Sequence, residues 1–295
     1  MTEEEYRQEW LKGLYHTDYN NCRFAEDKVQ YAKDWIKNLL PNVNVDNPQN
    51  IIDRINHYKI YDKNPEKALW CNKIWAFRKI KETFPELAIE PAYIFDCEKF
   101  TKEMFDTIPD GKWIIKCNHG SGWNMKFDKK LGFSAQFLID QINEWLFLDY
   151  SFLSGWEWQY HNMPRGVIIQ PDLGGLMDWS FWCENGQIFG VQLTRKFGKN
   201  LEEFYCWCDE NGNKTDYVIG LEPAIRVLPP SKKEILNKIK PYALELAKGF
   251  KFVRVDFYSI NGQPKFGEMT FSPCSGKITI HSLTHQNSNL PRRNP

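Results

Sequence analysis

No stretch of the sequence approaches the roughly 18 uninterrupted apolar residues of a membrane-spanning helix, which argues against a membrane span. An excess of one charge is missing too: Lys plus Arg and Asp plus Glu both number 38, so the formal net charge is zero. Proteins that work on nucleic acid or an anionic membrane usually carry a basic excess, so neither partner is favoured. The eight cysteines (Cys22, Cys71, Cys97, Cys117, Cys183, Cys206, Cys208 and Cys274) include no C-x-x-C pair. Zinc and dithiol redox chemistry therefore lack their usual signature. Reduced, mostly buried thiols in a cytosolic protein are the simpler reading. The opening residues Met1 to Trp10 are acidic where a secretory signal would be basic and then apolar. A cytoplasmic protein is the expectation. Internal repeats and low-complexity runs are also lacking.

What is present suffices for a sizeable core, because 42% of the 295 residues are hydrophobic. That length suits one large domain or a few closely packed lobes. The first half reads helical. Val29, Ala32, Trp35, Ile36, Leu39 and Leu40 repeat at three-and-four spacing, predicting a helix from Glu26 to Leu40 that stops at Pro41. The same pattern predicts helices over 48–61 and 65–84, each opening with a proline, and over 98–107 with Asp96 as cap. At Lys112 the period changes to that of a short apolar strand, Lys112 to Cys117. A helix is expected over 134–149, then strands over 167–170, 178–183, 187–195 and 204–208. A final helix over 231–248 contains Pro241, which should kink or split it. Strands over 251–259 and 265–271 close the chain. Helices followed by an antiparallel finish read as α+β.

The closing hairpin is the most informative segment. Side chains alternate along a strand, so Arg254, Asp256 and Tyr258 share one face, as do Glu268 and Thr270. A three-residue loop, Asn261 to Gln263, sets Asp256 opposite Glu268 and Arg254 opposite Thr270. Two carboxylates across a ladder need a counter-charge. Arg254 can provide it, and so can a divalent cation, since two carboxylates with phosphate oxygens and waters suit magnesium. An ordinary surface network of the same three residues explains the pattern equally well.

Lys116-Cys117-Asn118-His119-Gly120-Ser121-Gly122-Trp123-Asn124 leaves the strand at 112–117. Two glycines around a serine let backbone N–H groups close over phosphates, while a strand-end lysine supplies positive charge. Neither the G-x-x-x-x-G-K-[ST] nor the G-x-G-x-x-G spacing is present. A plain β-turn with a solvated lysine remains the competing reading.

Together, strand-end Lys116, the 119–124 loop, Arg254-Val255-Asp256-Phe257 and Glu268-Met269-Thr270 resemble the ATP-grasp superfamily. The narrower resemblance is to its teichuronopeptide-biosynthesis (TupA-like) branch, over about Leu69 to Ile280. The resemblance implies two α+β lobes holding ATP between them. One is a glycine-rich-loop lobe at about 110–165 and the other a metal-site lobe at about 166–285. A helical region precedes them at 1–65 and a tail follows at 286–295. It also implies that Lys116 touches the phosphates, with His119, Gly120, Ser121 and Gly122 as a lid. Lys73 matches the second family lysine. Ile168 to Leu173, including Gln170, Asp172 and Leu173, matches the adenine hinge, and Asp178 the ribose-binding acid. Asp256, Glu268 and Thr270 would hold Mg2+, and Arg254 would stabilise the transferring phosphoryl group. This sequence departs from the family in three places: Gln170 replaces a common Glu, Ser180 a common Lys, and Thr270 a common Asn.

The chemistry implied is ADP-forming carboxylate–amine ligation through an acylphosphate. By the branch's example, the acid is a uronic acid, a nucleotide-sugar carboxylate or another acidic component of a surface or capsule polysaccharide. The amine would be an amino acid or a small amine. Arg195 is the candidate for holding the substrate carboxylate, or else a surface residue at a strand end. His119 either donates to a phosphate or caps its turn. Trp156, Trp158, Trp179 and Trp182 either stack on sugars or belong to the core. Two other functions stay open: a kinase-like phosphotransferase acting on a sugar, and a non-catalytic carbohydrate-binding or assembly protein.

Overall fold

Local capping chemistry sets most helix boundaries. The structure, a computed structural model, describes residues 16–130, 134–195, 204–219 and 227–282. The expected tail at 286–295 lies outside them. After α1 (His16–Phe24), Asp27 accepts from the N–H groups of Val29 and Gln30 and starts α2 (Lys28–Leu39). Asn50 does the same for α3 (Ile51–Tyr61). The helix expected over 65–84 is two helices, α4 (Glu66–Cys71) and α5 (Lys73–Thr83). Asn72 separates them: its backbone is extended and its side chain accepts from Ile74 N–H and Trp75 N–H. An asparagine side chain that competes for backbone donors breaks a helix even where the apolar spacing continues.

β1 (Tyr93–Phe95) follows, then α6 (Lys102–Thr107). The cap of α6 is Thr101 rather than Asp96, because Asp96 pairs with Arg78 at 2.8 Å. β2 (Lys112–Cys117) leads through the glycine-rich turn into β3 (Asn124–Asp128), a strand the sequence pattern did not reveal. Next come α7 (Ala135–Phe147), β4 (Val167–Pro171), β5 (Asp178–Glu184), β6 (Gln187–Arg195), β7 (Phe204–Cys208) and β8 (Tyr217–Ile219). The closing elements are α8 (Lys233–Ala247), β9 (Phe252–Ile260), β10 (Gln263–Thr270) and β11 (Ile280–Ser282). Contrary to expectation, α8 runs through Pro241 as one helix. Its buried stripe of Leu236, Ile239, Ala243 and Ala247 joins the main core, and that packing outweighs one missing backbone bond.

The strands form a four-stranded sheet in the order β1-β4-β2-β3, a five-stranded sheet β10-β9-β5-β6-β7, and a small pair β11-β8. Every pairing is antiparallel. β4 pairs with β2, so the strand beyond residue 166 belongs to the sheet that carries the glycine-rich turn. In the five-stranded sheet, Trp179, Phe181, Val255 and Phe257 pack towards α8. On the other face Trp182, Trp207 and Phe252 pack on Ile51, Ile52 and Ile55 of α3. α3 is thus part of the sheet's support. Trp179 and Trp182 are core residues, whereas Trp156 and Trp158 are half-buried.

The hairpin reaches the expected facing by another route. β9 and β10 pair Ile260 with Gln263, so the turn is the two residues Asn261 and Gly262, both at positive φ. A bulge between Phe266 and Glu268 then shifts the ladder by one, which sets Asp256 opposite Glu268 and Arg254 opposite Thr270. Gly267 occupies the bulge, where an added Cβ would lie 2.9 Å from the Asp256 carbonyl oxygen. Gly267→Ala is therefore expected to destabilise the protein by about 1–3 kcal/mol through overpacking. An unchanged urea midpoint would show that the bulge has room.

Candidate functional site

Two walls carry the predicted residues. On the first, β2 brings Lys116 to the end of the four-stranded sheet, where Nζ donates to Gln170 Oε1 at 3.0 Å. Gln170 in turn donates from Nε2 to the Ile89 carbonyl at 3.2 Å. Burial, with Lys73 and Lys126 nearby, pushes the Lys116 ammonium down to about 8, and Glu268 only partly opposes this. The break at Asn72 positions Lys73: its backbone N–H donates to Asn118 O at 3.1 Å, and its Nζ donates to Gly120 O. Both lysines thus converge on the glycine-rich turn.

That turn is built around Trp123. A Cβ on Gly120 would lie 2.4 Å from the indole, and Gly122 has φ 74°. Ser121 is exposed. His119 is not. It is fully buried, with Nε2 3.0 Å from Trp145 O and Nδ1 3.1 Å from Asn118 Oδ1. A neutral imidazole has one N–H and the Trp145 carbonyl can only accept, so Nε2 donates there, and the enclosed His119 anchors the turn rather than presenting a donor to a ligand. Burial, assisted by Arg165, pushes its imidazole down to about 3.

The loop after β4 is fastened by Asp172. Asp172 accepts from Lys126 Nζ at 2.7 Å and from Gly174 N–H at 3.1 Å, which commits its carboxylate to shaping the loop. Leu173 is exposed beside it. Asp178 opens β5 opposite Tyr258 and Thr194.

The second wall is the hairpin. Arg254 donates to Asp256 from Nε at 2.8 Å and from Nη2 at 2.5 Å, and to Thr270 Oγ1 at 3.3 Å. Its Nη2 stands 3.6 Å from Glu268 Oε1, and Thr270 Oγ1 donates to the same oxygen at 3.3 Å. Burial pushes the Asp256 carboxyl up against the opposing pull of Arg254. Burial also works against the Arg254 charge, but Asp256 outweighs it and keeps the guanidinium protonated. Arg254 thus supplies one of the counter-charges open to the sequence.

A single cleft separates the walls. One chamber, about 730 Å³ with open solvent included, is lined by Lys73, Phe77, Ile168, Glu268 and Met269. The adjoining one, about 1510 Å³ with open solvent included, is lined by Lys126, Asp172, Leu173 and Asp178. Lys116, Gln170, Tyr258 and Glu268 face both. Arg195 ends β6, and its side chain lies outside the described residues. Lys126, which sequence reasoning missed, lies two residues beyond Asn124 on β3; the alternation that grouped Arg254 with Asp256 would have found it had that strand been recognised.

The donor set suits a hard cation that keeps much of its own hydration. Among the described residues no group of three or more His, Cys, Asp or Glu forms a complete metal cage. Two carboxylates and a hydroxyl are what magnesium takes from a protein when phosphate oxygens and waters fill the remaining positions. Asp256 would have to share its carboxylate with Arg254.

A family model described as TupA-like ATPgrasp matches residues 53–284. No curated protein matches the chain. Among solved structures, a D-alanine–D-alanine ligase from Bacillus anthracis complexed with ATP is similar at TM-score 0.41 and 15% identity, over 69% of this chain and 55% of that one. An L-amino acid ligase from Bacillus licheniformis gives TM-score 0.41 at 12% identity, over 70% and 44%. The ATP-grasp ligase PsnB complexed with a minimal precursor gives 0.39 at 14%, over 73% and 55%. The chain spans about half the length of these solved proteins.

The burial of His119 has a measurable consequence. Its folded value of about 3 lies below the ordinary 6.5, so the unfolded chain binds this proton first as pH falls. His119 therefore contributes stability that is complete above about 6.5 and is lost as pH drops towards about 3. Across that window the wild type should lose up to about 1.4 kcal/mol per pH unit more than His119→Gln. Parallel stability–pH curves for the two proteins would rule out the buried neutral imidazole.

Proposed function

The chain belongs to the TupA-like ATP-grasp family, and on that footing we propose that it is an ATP- and magnesium-dependent carboxylate–amine ligase that forms ADP. One observation carries the reading. Lys73, Lys116 and Glu268 line one cleft, and Glu268 faces Asp256 across the hairpin with Arg254 and Thr270 beside them. Cations opposed to a carboxylate pair suit a polyphosphate held with its metal.

The chemistry divides among these residues. Lys116 and Lys73 neutralise phosphate charge, with the backbone around Gly120 to Gly122 closing over it. The apolar lining of Phe77, Ile168 and Met269 takes the flat face of the base, and Gln170 with the hinge reads its edge. Asp178 serves the ribose. Asp256 and Glu268, with Thr270 beside them, would hold magnesium, which would supply positive charge to neutralise the phosphates. Arg254 steadies the γ-phosphoryl group as it passes to a carboxylate oxygen of the acid. ADP leaves, and the amine then displaces phosphate from the acylphosphate to give the amide. The walls exclude water during the transfer.

The finer assignment follows the family branch. The acid is a uronic acid, a nucleotide-sugar carboxylate or another acidic component of a surface polysaccharide, and the amine an amino acid or small amine. Arg195 is the proposed holder of the acid's carboxylate, and the cytoplasm the proposed compartment.

Two measurements test this. Mg-ATP at a hundredfold excess over its dissociation constant should stabilise the wild type by about 2.7 kcal/mol, and Asp256→Asn should abolish most of that shift. Absence of a metal-dependent shift in the wild type would refute the nucleotide site. With ATP, magnesium and a panel of uronic acids, hydroxylamine should trap a hydroxamate. Nucleotide turnover that yields a stable sugar phosphate and no hydroxamate would replace ligation by phosphotransfer to a hydroxyl.

A further inference from the structure

Four residues beyond the end of β10, the chain enters a conformation that L-residues rarely adopt. Cys274 (φ 51°, ψ 32°) and Ser275 (φ 58°, ψ 24°) are both left-handed, and Gly276 follows at φ 86°. Such residues persist only where the surroundings over-determine them, and they cluster at working sites. Here the surroundings come from α3. Lys59, 2% exposed, donates from Nζ to the carbonyls of Ser275 and Ser154, both at 2.8 Å, with the Trp35 ring 4.4 Å away. Asn56, fully buried, donates to Gly276 O at 3.1 Å, and a Cβ on Gly276 would lie 2.1 Å from its Oδ1.

Lys59 also reaches the opposite wall. Ser154 sits in the segment whose Tyr150 ring packs edge-on against Trp123 of the glycine-rich turn, with 5.1 Å between ring centroids. The same segment carries the buried Glu157. Burial pushes the Lys59 ammonium down and the Glu157 carboxyl up, each countered by the other's charge. A buried charge pair is weak support for stability, since apolar residues of similar volume often serve as well. What Lys59 provides that an apolar side chain lacks is a fixed geometry between two carbonyls from different walls.

We propose that Lys59 and Asn56 are positioning residues that hold the Cys274–Gly276 turn just after Thr270, the hydroxyl Arg254 contacts, so that α3 shapes the place where the acid meets the phosphoryl group. The inference rests on the ATP-dependent reading above.

Cys274 supplies the readout. It is the exposed cysteine among the described residues, four residues after Thr270, whose hydroxyl accepts from Arg254 at 3.3 Å. Saturating Mg-ATP should slow iodoacetamide labelling of Cys274, followed by peptide mass spectrometry, by about tenfold in the wild type. Lys59→Met should keep the thermal shift with Mg-ATP but lose the protection, and Lys59→Arg should retain both. A variant that is merely destabilised would not separate binding from protection. Should Lys59→Met fail to fold, Gly276→Ala disturbs the same contact from the other side and should lose protection likewise. Full protection in the folded variant overturns the role of α3. A wild type that binds Mg-ATP without protecting Cys274 removes the turn from the reacting end. A wild type that binds no Mg-ATP defeats the nucleotide reading itself, and the proposal with it.

Discussion

The arrangement depends on a buried ion pair within one strand. Arg254 and Asp256 lie two residues apart on β9, so they share a face, and the guanidinium grips the carboxylate through two nitrogens. Removing one partner of such a pair leaves an uncompensated buried charge, at a cost of about 3–5 kcal/mol. β9 lies between β10 and β5. From that central position the pair orders its neighbours: Thr270 and Glu268 complete the Arg254 environment from β10, and Ser180 stands opposite Asp256 on β5. The common Lys of the family's pattern at position 180 would put a second cation into a site that already holds one. The short hydroxyl of Ser180 fits beside the carboxylate.

Much of this was legible because it depends on alternation and spacing. The facing of Asp256 with Glu268, the strand at Lys116 and the glycine-rich turn all follow from a period of two and from residue types with few other uses. The failures have physical causes. Asn72 sits in an unbroken apolar spacing, so only its side chain's competition for backbone donors marks the break between α4 and α5. The hairpin shows a compensation: a shorter turn and a bulge at Gly267 produce the facing that a longer turn would have given. Periodicity constrains which residues face each other, not which turn brings them there.

The same limit explains why two readings of His119 stayed open and why the reading of Asp172 was incomplete. Both lie in loops, where sequence shows what a side chain can bond but not what comes near it. Trp145 O arrives from α7 and Lys126 from β3, elements distant in the chain. Lys59 was harder still. A lysine on an amphipathic helix ordinarily faces water, and nothing in its neighbourhood of sequence announces the two carbonyls from residues 154 and 275 that enclose it. Asp256 and Glu268, by contrast, are paired by a hairpin whose two strands adjoin in the sequence.

The neutral partner of Lys116 changes how the empty cleft behaves. Lys73, Lys116 and Lys126 lie near one another on one wall, and the amide of Gln170 offers a dipole where a carboxylate would have offered full charge. Lys73 and the buried Lys116 therefore repel each other, whereas the exposed Lys126 is neutralised by Asp172. A polyanion seated there would relieve that repulsion as well as make contacts of its own, so ligand and wall would stabilise each other.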